Sequence, residues 1–147
     1  MKSLDTTAEI TIAAPIERVW DVFTDVERWP TWTASVTALE LVAGGGVALG
    51  AQARIKQPRF PWVTWTVTEV EPGRSWTWVA RSPGATTTAQ HHLEAIRDDT
   101  TRVVQTITQR GPLGRLVGRL TRGRTRRYLA MEGEGLKRRG EAGVTAA

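Results

Sequence analysis

Seven tryptophans, two histidines and one tyrosine are the side chains best suited to handling a ligand in this chain of 147 residues, which contains no cysteine. Tryptophan joins a large apolar face to a single N–H donor. That profile suits an amphipathic ligand, and the same side chain also fills a core. Trp20 falls on the face of a helix that must pack, and reads as core. Trp76 and Trp78 share one face of a strand, and Trp65 shares a face with Val63 and Val67. These three either line a pocket or form plain core. His91 and His92 are adjacent on a strand whose apolar phase is Ala89, His91, Leu93, Ala95, so period-two alternation turns His91 inward and His92 outward. An inward histidine beside aromatics could orient a ligand carbonyl or act as a general base. The other reading is a core histidine bonded to a backbone carbonyl. Tyr128 offers a hydroxyl from a helix, and Glu132, one turn on, could bond a ligand, pair with a base or sit at a rim. His91, Tyr128 and Glu132 are therefore the catalytic candidates, none of them firm.

Other chemistry finds little support. Neighbouring histidines on a strand project to opposite faces and make no metal pair, so neither a metal nor a cofactor is expected. Gly44-Gly45-Gly46 lacks the lysine and helix of a phosphate loop. No serine stands in a G-x-S-x-G elbow. Without cysteines there is no disulfide framework and no thiolate chemistry.

The elements that must position these groups follow from pattern. Thr7–Ile12 alternates and reads as a strand. Pro15 opens a helix to about Val26, because a residue without an N–H suits a first helical turn. Trp29 to Thr33 reads as one further helical turn. Strands are expected over 35–42, 51–57, 62–71, 75–80, 86–97 and 101–110, separated by turn signals such as Pro72-Gly73 and Pro83-Gly84. Leu113 to about Arg139 reads as one long helix, with residues 140–147 as a frayed tail. On a helical wheel, Leu113, Leu116, Val117, Leu120, Tyr128 and Met131 form an arc that should face the sheet. Arg115, Arg119, Arg122, Arg126 and Lys137 form a solvated basic arc. Arg124 and Arg127 break the pattern, either snorkelling outward or contacting an anion in the core. Helices segregated from a run of antiparallel strands give an α+β protein.

The opening block AAPIERVWDVFTDVERWPTWTAS has the form strand, proline-started helix, tryptophan-bearing turn. It is followed in order by VTEVEPGRSWTW, a Thr-rich strand ending in HHLE, DDTTRVVQTIT, GPLGRLVGRL and EGEGLKRR. Together these resemble the START-like, or SRPBCC, superfamily in its polyketide cyclase/dehydrase branch. The resemblance covers about residues 6–139 within a single domain, 1–147. It implies a helix-grip fold: a curved antiparallel sheet of about seven strands wrapped around the C-terminal helix, with a cavity between them. It would place Trp65, Trp76, Trp78, His91, Tyr128 and Trp32 at that cavity.

Three functions are then open. The first is binding of a small hydrophobic or amphipathic molecule, such as a lipid, polyketide or aromatic metabolite. The second, implied by the resemblance, is a polyketide aromatase/cyclase or dehydratase using the same cavity. The third is an interaction protein using the basic helix. The net charge of +5 is concentrated there, since residues 1–109 hold ten basic and twelve acidic side chains whereas 110–139 hold ten basic and two acidic. Nucleic acid is disfavoured because base stacking needs exposed aromatics and the segment offers only Tyr128. Membrane contact is disfavoured because the apolar half of the helix is needed for the core. No apolar run is long enough to span a bilayer, and no signal-peptide core is evident, so the expected location is the cytoplasm of a bacterium. A monomer or a homodimer is expected.

Overall fold

A computed structural model of the chain describes residues 3–143. Strand β1 (Leu4–Ile12) leads into helix α1 (Ile16–Thr24), a single 3-10 turn (Val26–Arg28) and the short helix α2 (Trp29–Trp32). Strands β2 (Ala38–Ala43), β3 (Gln52–Lys56), β4 (Val63–Glu71), β5 (Ser75–Ser82), β6 (Ala85–Arg97) and β7 (Thr100–Arg110) follow, then helix α3 (Pro112–Glu141). The seven strands form one antiparallel sheet in the order β1-β7-β6-β5-β4-β3-β2. Each hairpin neighbour pairs with the next, and β1 returns to pair with β7. The helix-grip α+β architecture is thus the observed one, with α3 lying along the inner face of the sheet.

Local chemistry explains the boundaries. Pro15 sits at φ −61° and ψ 150°, extended, and caps α1 rather than joining it. Helix α2 contains Pro30 in its first turn, where a residue without an N–H leaves no bond unmade. β4 carries a bulge between Val67 and Glu69, and β6–β7 one between Ala95 and Arg97; such irregularities bend a sheet. The final helix extends past Arg139. Gly140 is buried against Ile12, and Arg18 donates from Nε to the Gly140 carbonyl at 3.3 Å and from Nη2 to that of Ala142 at 2.7 Å. Those bonds satisfy orphan carbonyls at the helix end. The expected fraying at 140–143 is therefore replaced by a docked terminus, while 144–147 lie outside the described residues.

Register sets the depth of every inward side chain. Trp76, His91 and Gln105 are cross-strand partners in one row. Val67, Trp78, Ala89 and Ile107 form the next row, and Ala80, Thr87 and Gln109 the one after. Each step moves two residues, about 7 Å, along the strands. α1 and α2 cover the first row and close that end of the sheet. There Phe23 and Val19 are fully buried, and the Phe23 and Trp76 rings meet edge to face at 4.7 Å. Trp29 Nε1 donates to the Phe23 carbonyl at 2.8 Å, which fixes its ring within the plug.

The long helix differs most from its sequence pattern. The face of α3 that meets the sheet and plug carries Gly114, Gly118, Leu129, Glu132, Leu136 and Gly140. Leu113, Leu116, Val117 and Leu120 instead remain 51%, 53%, 47% and 78% exposed. The expected apolar arc is therefore rotated away from the core in the first half of α3. The physical reason is proximity. A Cβ on Gly118 would lie 2.8 Å from a Leu4 methyl, and one on Gly135 would lie 2.1 Å from the Trp32 carbonyl oxygen. Glycine lets the helix backbone approach the sheet and plug, and a face built on glycine carries no hydrophobic signal.

Candidate functional site

Beyond the plugged end, the sheet and α3 diverge and enclose a cavity of about 400 Å3. Its sheet wall is Trp65, Trp78, Ala89 and Ile107, and its helical wall is Val117, Thr121, Thr125 and Leu129. Trp29 and Val36 border it from the plug side. The mouth lies at the other end, between the β5–β6 turn at Pro83, the first turns of α3 at Leu113, and the β3–β4 loop at Phe60 and Pro61. A mostly apolar chamber of this size is in the range of small-molecule sites.

Polar groups gather near the closed end. His91 is buried and stacks on Trp76, rings 3.9 Å apart and 12° from parallel. Its Nδ1 lies 3.2 Å from the Trp76 carbonyl oxygen. A carbonyl only accepts, so Nδ1 carries the proton and Nε2 keeps its lone pair. Burial lowers the His91 pKa to about 3, against the opposing effect of the Trp76 bond, so the ring is neutral at physiological pH. A neutral ring in this tautomer accepts a hydrogen bond at Nε2. It can orient a ligand hydroxyl or enol rather than the ligand carbonyl that the sequence suggests, and it is a poor general base.

Glu132 corrects another expectation. It is no rim carboxylate: it is buried, borders the cavity, and receives a bond from Ser35 Oγ at 3.4 Å. Ser35 in turn shares a 2.7 Å hydroxyl contact with Thr33. No salt bridge reaches Glu132 among the described residues. Burial raises its pKa to about 7, with the Ser35 bond acting in the other direction. Near neutral pH this carboxyl is present in both protonation states, which is the condition for giving and taking a proton.

Tyr128 borders the cavity, but its hydroxyl is engaged. It donates to the Pro58 carbonyl in the β3–β4 loop, and the Tyr128 ring meets Phe60 edge to face at 5.8 Å. Arg124 lies over the other contact, its guanidinium carbon 5.3 Å from the Phe60 centroid. Together these side chains strap the loop to α3, so Tyr128 is a strap beside the mouth and not a free hydroxyl for a ligand. Arg124 is thereby accounted for on the loop rather than on an anion.

Two expected lining residues stand elsewhere. Trp76 is fully buried beneath Phe23 and Trp20, whereas His91 and Gln105 of the same row border the cavity. Trp32 is wedged between α2 and α3 with its carbonyl against Gly135, and does not border the cavity. Trp65 and Trp78 do border it, with rings 5.8 Å apart. Sequence reasoning missed Gln105 as a wall residue. The signal for Gln105 was present: it alternates in phase with Val103 and Ile107, an amide placed on an inward face. Among the described residues no cluster of His, Cys, Asp or Glu could hold a metal ion.

The family model described as polyketide cyclase / dehydrase and lipid transport matches residues 3–141. The chain belongs to this family. The aromatase/cyclase Zhui from Streptomyces sp. R1128 superposes with a TM-score of 0.80 at 16% identity, over 99% of this chain and 98% of that one. Norcoclaurine synthase of Thalictrum flavum superposes with a TM-score of 0.74 at 14% identity, over 95% and 94%. At such identities these likenesses speak to the fold. A Streptomyces cyaneus protein named "Putative polyketide cyclase" is 35% identical over 72 residues, 49% of this chain and 40% of that relative, so the match spans less than half of its length. No helix among the described residues is long and apolar enough to cross a membrane.

Proposed function

We propose that this polyketide cyclase/dehydrase family protein binds a small, largely aromatic or polyketide-like molecule in the cavity between sheet and α3. The ligand body would lie along Trp65 and Trp78, with a hydroxyl or enol directed at His91 and Glu132. The observation that carries this reading is a mostly apolar cavity faced by Trp65 and Trp78, with the neutral acceptor of His91 and the carboxyl of Glu132 near its closed end. Tryptophan walls favour flat rings, and the family description supports a ligand of this class.

Saturable quenching of tryptophan fluorescence by 1-naphthol tests it. Ala80 lines the same wall one row nearer the mouth, so Ala80→Phe should fill the path and weaken binding about tenfold or more, roughly 1.4 kcal/mol. Absence of saturable binding, or binding indifferent to Ala80→Phe in a folded variant, would overturn the reading.

A second reading, aromatase/cyclase chemistry, is favoured specifically by Glu132. As a carboxylate it would take a proton from a methylene flanked by two carbonyls of a bound poly-β-ketone. The resulting carbanion would attack a further carbonyl to close the ring, and the protonated carboxyl would return the proton to the new alkoxide. Loss of water would follow. His91 would hold an enol in place and the walls would impose the folded conformation. Turnover of a poly-β-ketone substrate should fall at least a hundredfold in Glu132→Gln; unchanged turnover would remove Glu132 from this role.

A further inference from the structure

The mouth of the cavity is rimmed by protruding apolar side chains and by basic charge. On α3, Leu113, Leu116, Val117 and Leu120 are about half exposed or more, with Leu120 at 78%. Leu113 and Val117 themselves border the cavity. Across the mouth, the β3–β4 loop presents exposed Arg59 and Pro61, with Phe60 bordering the cavity. These two apolar sets come from elements far apart in sequence yet flank one opening.

The charge distribution points the same way. From Leu41 to Thr68, from Pro72 to Leu93 and from Thr100 to Met131 the sequence contains no Asp or Glu. Those three stretches supply most of the strands and the helix segment that form the mouth. Six arginines (Arg115, Arg119, Arg122, Arg124, Arg126 and Arg127) lie within α3 between Leu113 and Tyr128. The sequence-based objection to membrane contact was that the apolar half of this helix is needed by the core. The glycine-lined contact face removes that objection, because the core uses Gly114 and Gly118 and leaves the leucines outside.

We infer that the first half of α3, with the β3–β4 loop, docks the cavity mouth onto an anionic lipid bilayer surface. An apolar stripe flanked by arginines is the composition of a helix that lies in the headgroup region. Basic residues near an anionic leaflet add attraction that salt screens. The side chains protrude from two separated elements instead of forming one flat patch or groove. A deformable bilayer accepts such a shape without a matching cavity, whereas a protein partner must supply one. The inference is independent of the ligand's identity, since it rests on the rim and not on the chamber.

Sedimentation with vesicles tests it. The protein should sediment with equimolar POPG and POPC vesicles at about 100 mM salt. It should bind pure POPC at least about tenfold more weakly. Leu116→Ser with Leu120→Ser should lose at least about tenfold in affinity for the anionic vesicles while still quenching with 1-naphthol, because both side chains lie outside the core. Four outcomes overturn the inference. They are no sedimentation with anionic vesicles, equal binding by the folded double variant, concentration-dependent dimerisation that the variant abolishes in place of vesicle binding, or salt-sensitive capture by an acidic carrier protein without vesicle binding. Fluorescence quenching by 1-naphthol is read separately, so failure on vesicles does not count against the cavity.

Discussion

Glu132 and His91 are both buried near the plug, and burial moves their pKa values in opposite directions, up to about 7 and down to about 3. For Glu132 the folded value exceeds the unfolded one of 4.5. Its charge therefore costs nothing below pH 4.5 and costs most above pH 7, where the penalty is about 3 kcal/mol. For His91 the folded value lies below the unfolded one of 6.5. Its contribution is fully present above pH 6.5 and is lost as pH falls toward 3, by about 5 kcal/mol. Between pH 4.5 and 6.5 the two slopes oppose each other. Urea denaturation across pH should show Glu132→Gln more stable relative to the parent at pH 8 than at pH 4.5, by up to about 3 kcal/mol. His91→Gln keeps a donor for the Trp76 carbonyl without a titrating ring, so it should flatten the loss of stability below pH 6.5. If both variants track the parent at every pH, these two groups do not control its acid response.

At the scale of elements, α3 is the least predictable part of the fold and the most consequential. Gly135→Ala would put a methyl 2.1 Å from the Trp32 carbonyl oxygen, on backbone that cannot swing aside. A loss of at least about 1–3 kcal/mol is expected, seen as a lower melting temperature. Gly123 has open space about a added Cβ, so Gly123→Ala should instead stabilise the helix by about 1 kcal/mol. The pair of variants separates a packing glycine from an incidental one. The strap is the second feature of this scale. Tyr128→Phe removes the bond to Pro58 and leaves the ring contact with Phe60, so amide exchange over 57–62 should quicken while exchange in β5 and β6 is unchanged.

For the whole molecule, a ligand that binds only the folded state adds to stability by mass action. At about a hundred times its Kd, 1-naphthol should contribute about 2.7 kcal/mol, and thermal melting with and without it should show the shift. The molecule is also polar in its layout: a packed, plugged end under α1 and α2, and an open end whose surrounding segments carry no acidic residue. That arrangement divides stability from recognition. Phe23, Trp76 and Leu136 hold the closed end together, and the mouth is left free to present Leu116 and Leu120.

Much of this architecture was legible in the residues. Period-two alternation, Pro-Gly turns and a proline-started helix suffice for the antiparallel sheet and the order of elements, because strand and helix periods are local properties of the chain. The inward turn of His91 followed for the same reason. Depth along the cavity did not follow. Trp76 and Trp78 have the same alternation phase, and only the packing of Phe23 and Trp20 onto Trp76 separates core from wall. The helical wheel likewise turned the apolar arc of α3 toward the sheet; Gly114 and Gly118, spaced four apart, do signal close approach, but only the packed structure shows that glycines take the contact face in place of Leu113, Leu116, Val117 and Leu120. Alternation along a chain fixes which way a side chain points, whereas what it meets depends on segments distant in sequence, and that was decided only when the sheet, plug and helix came together.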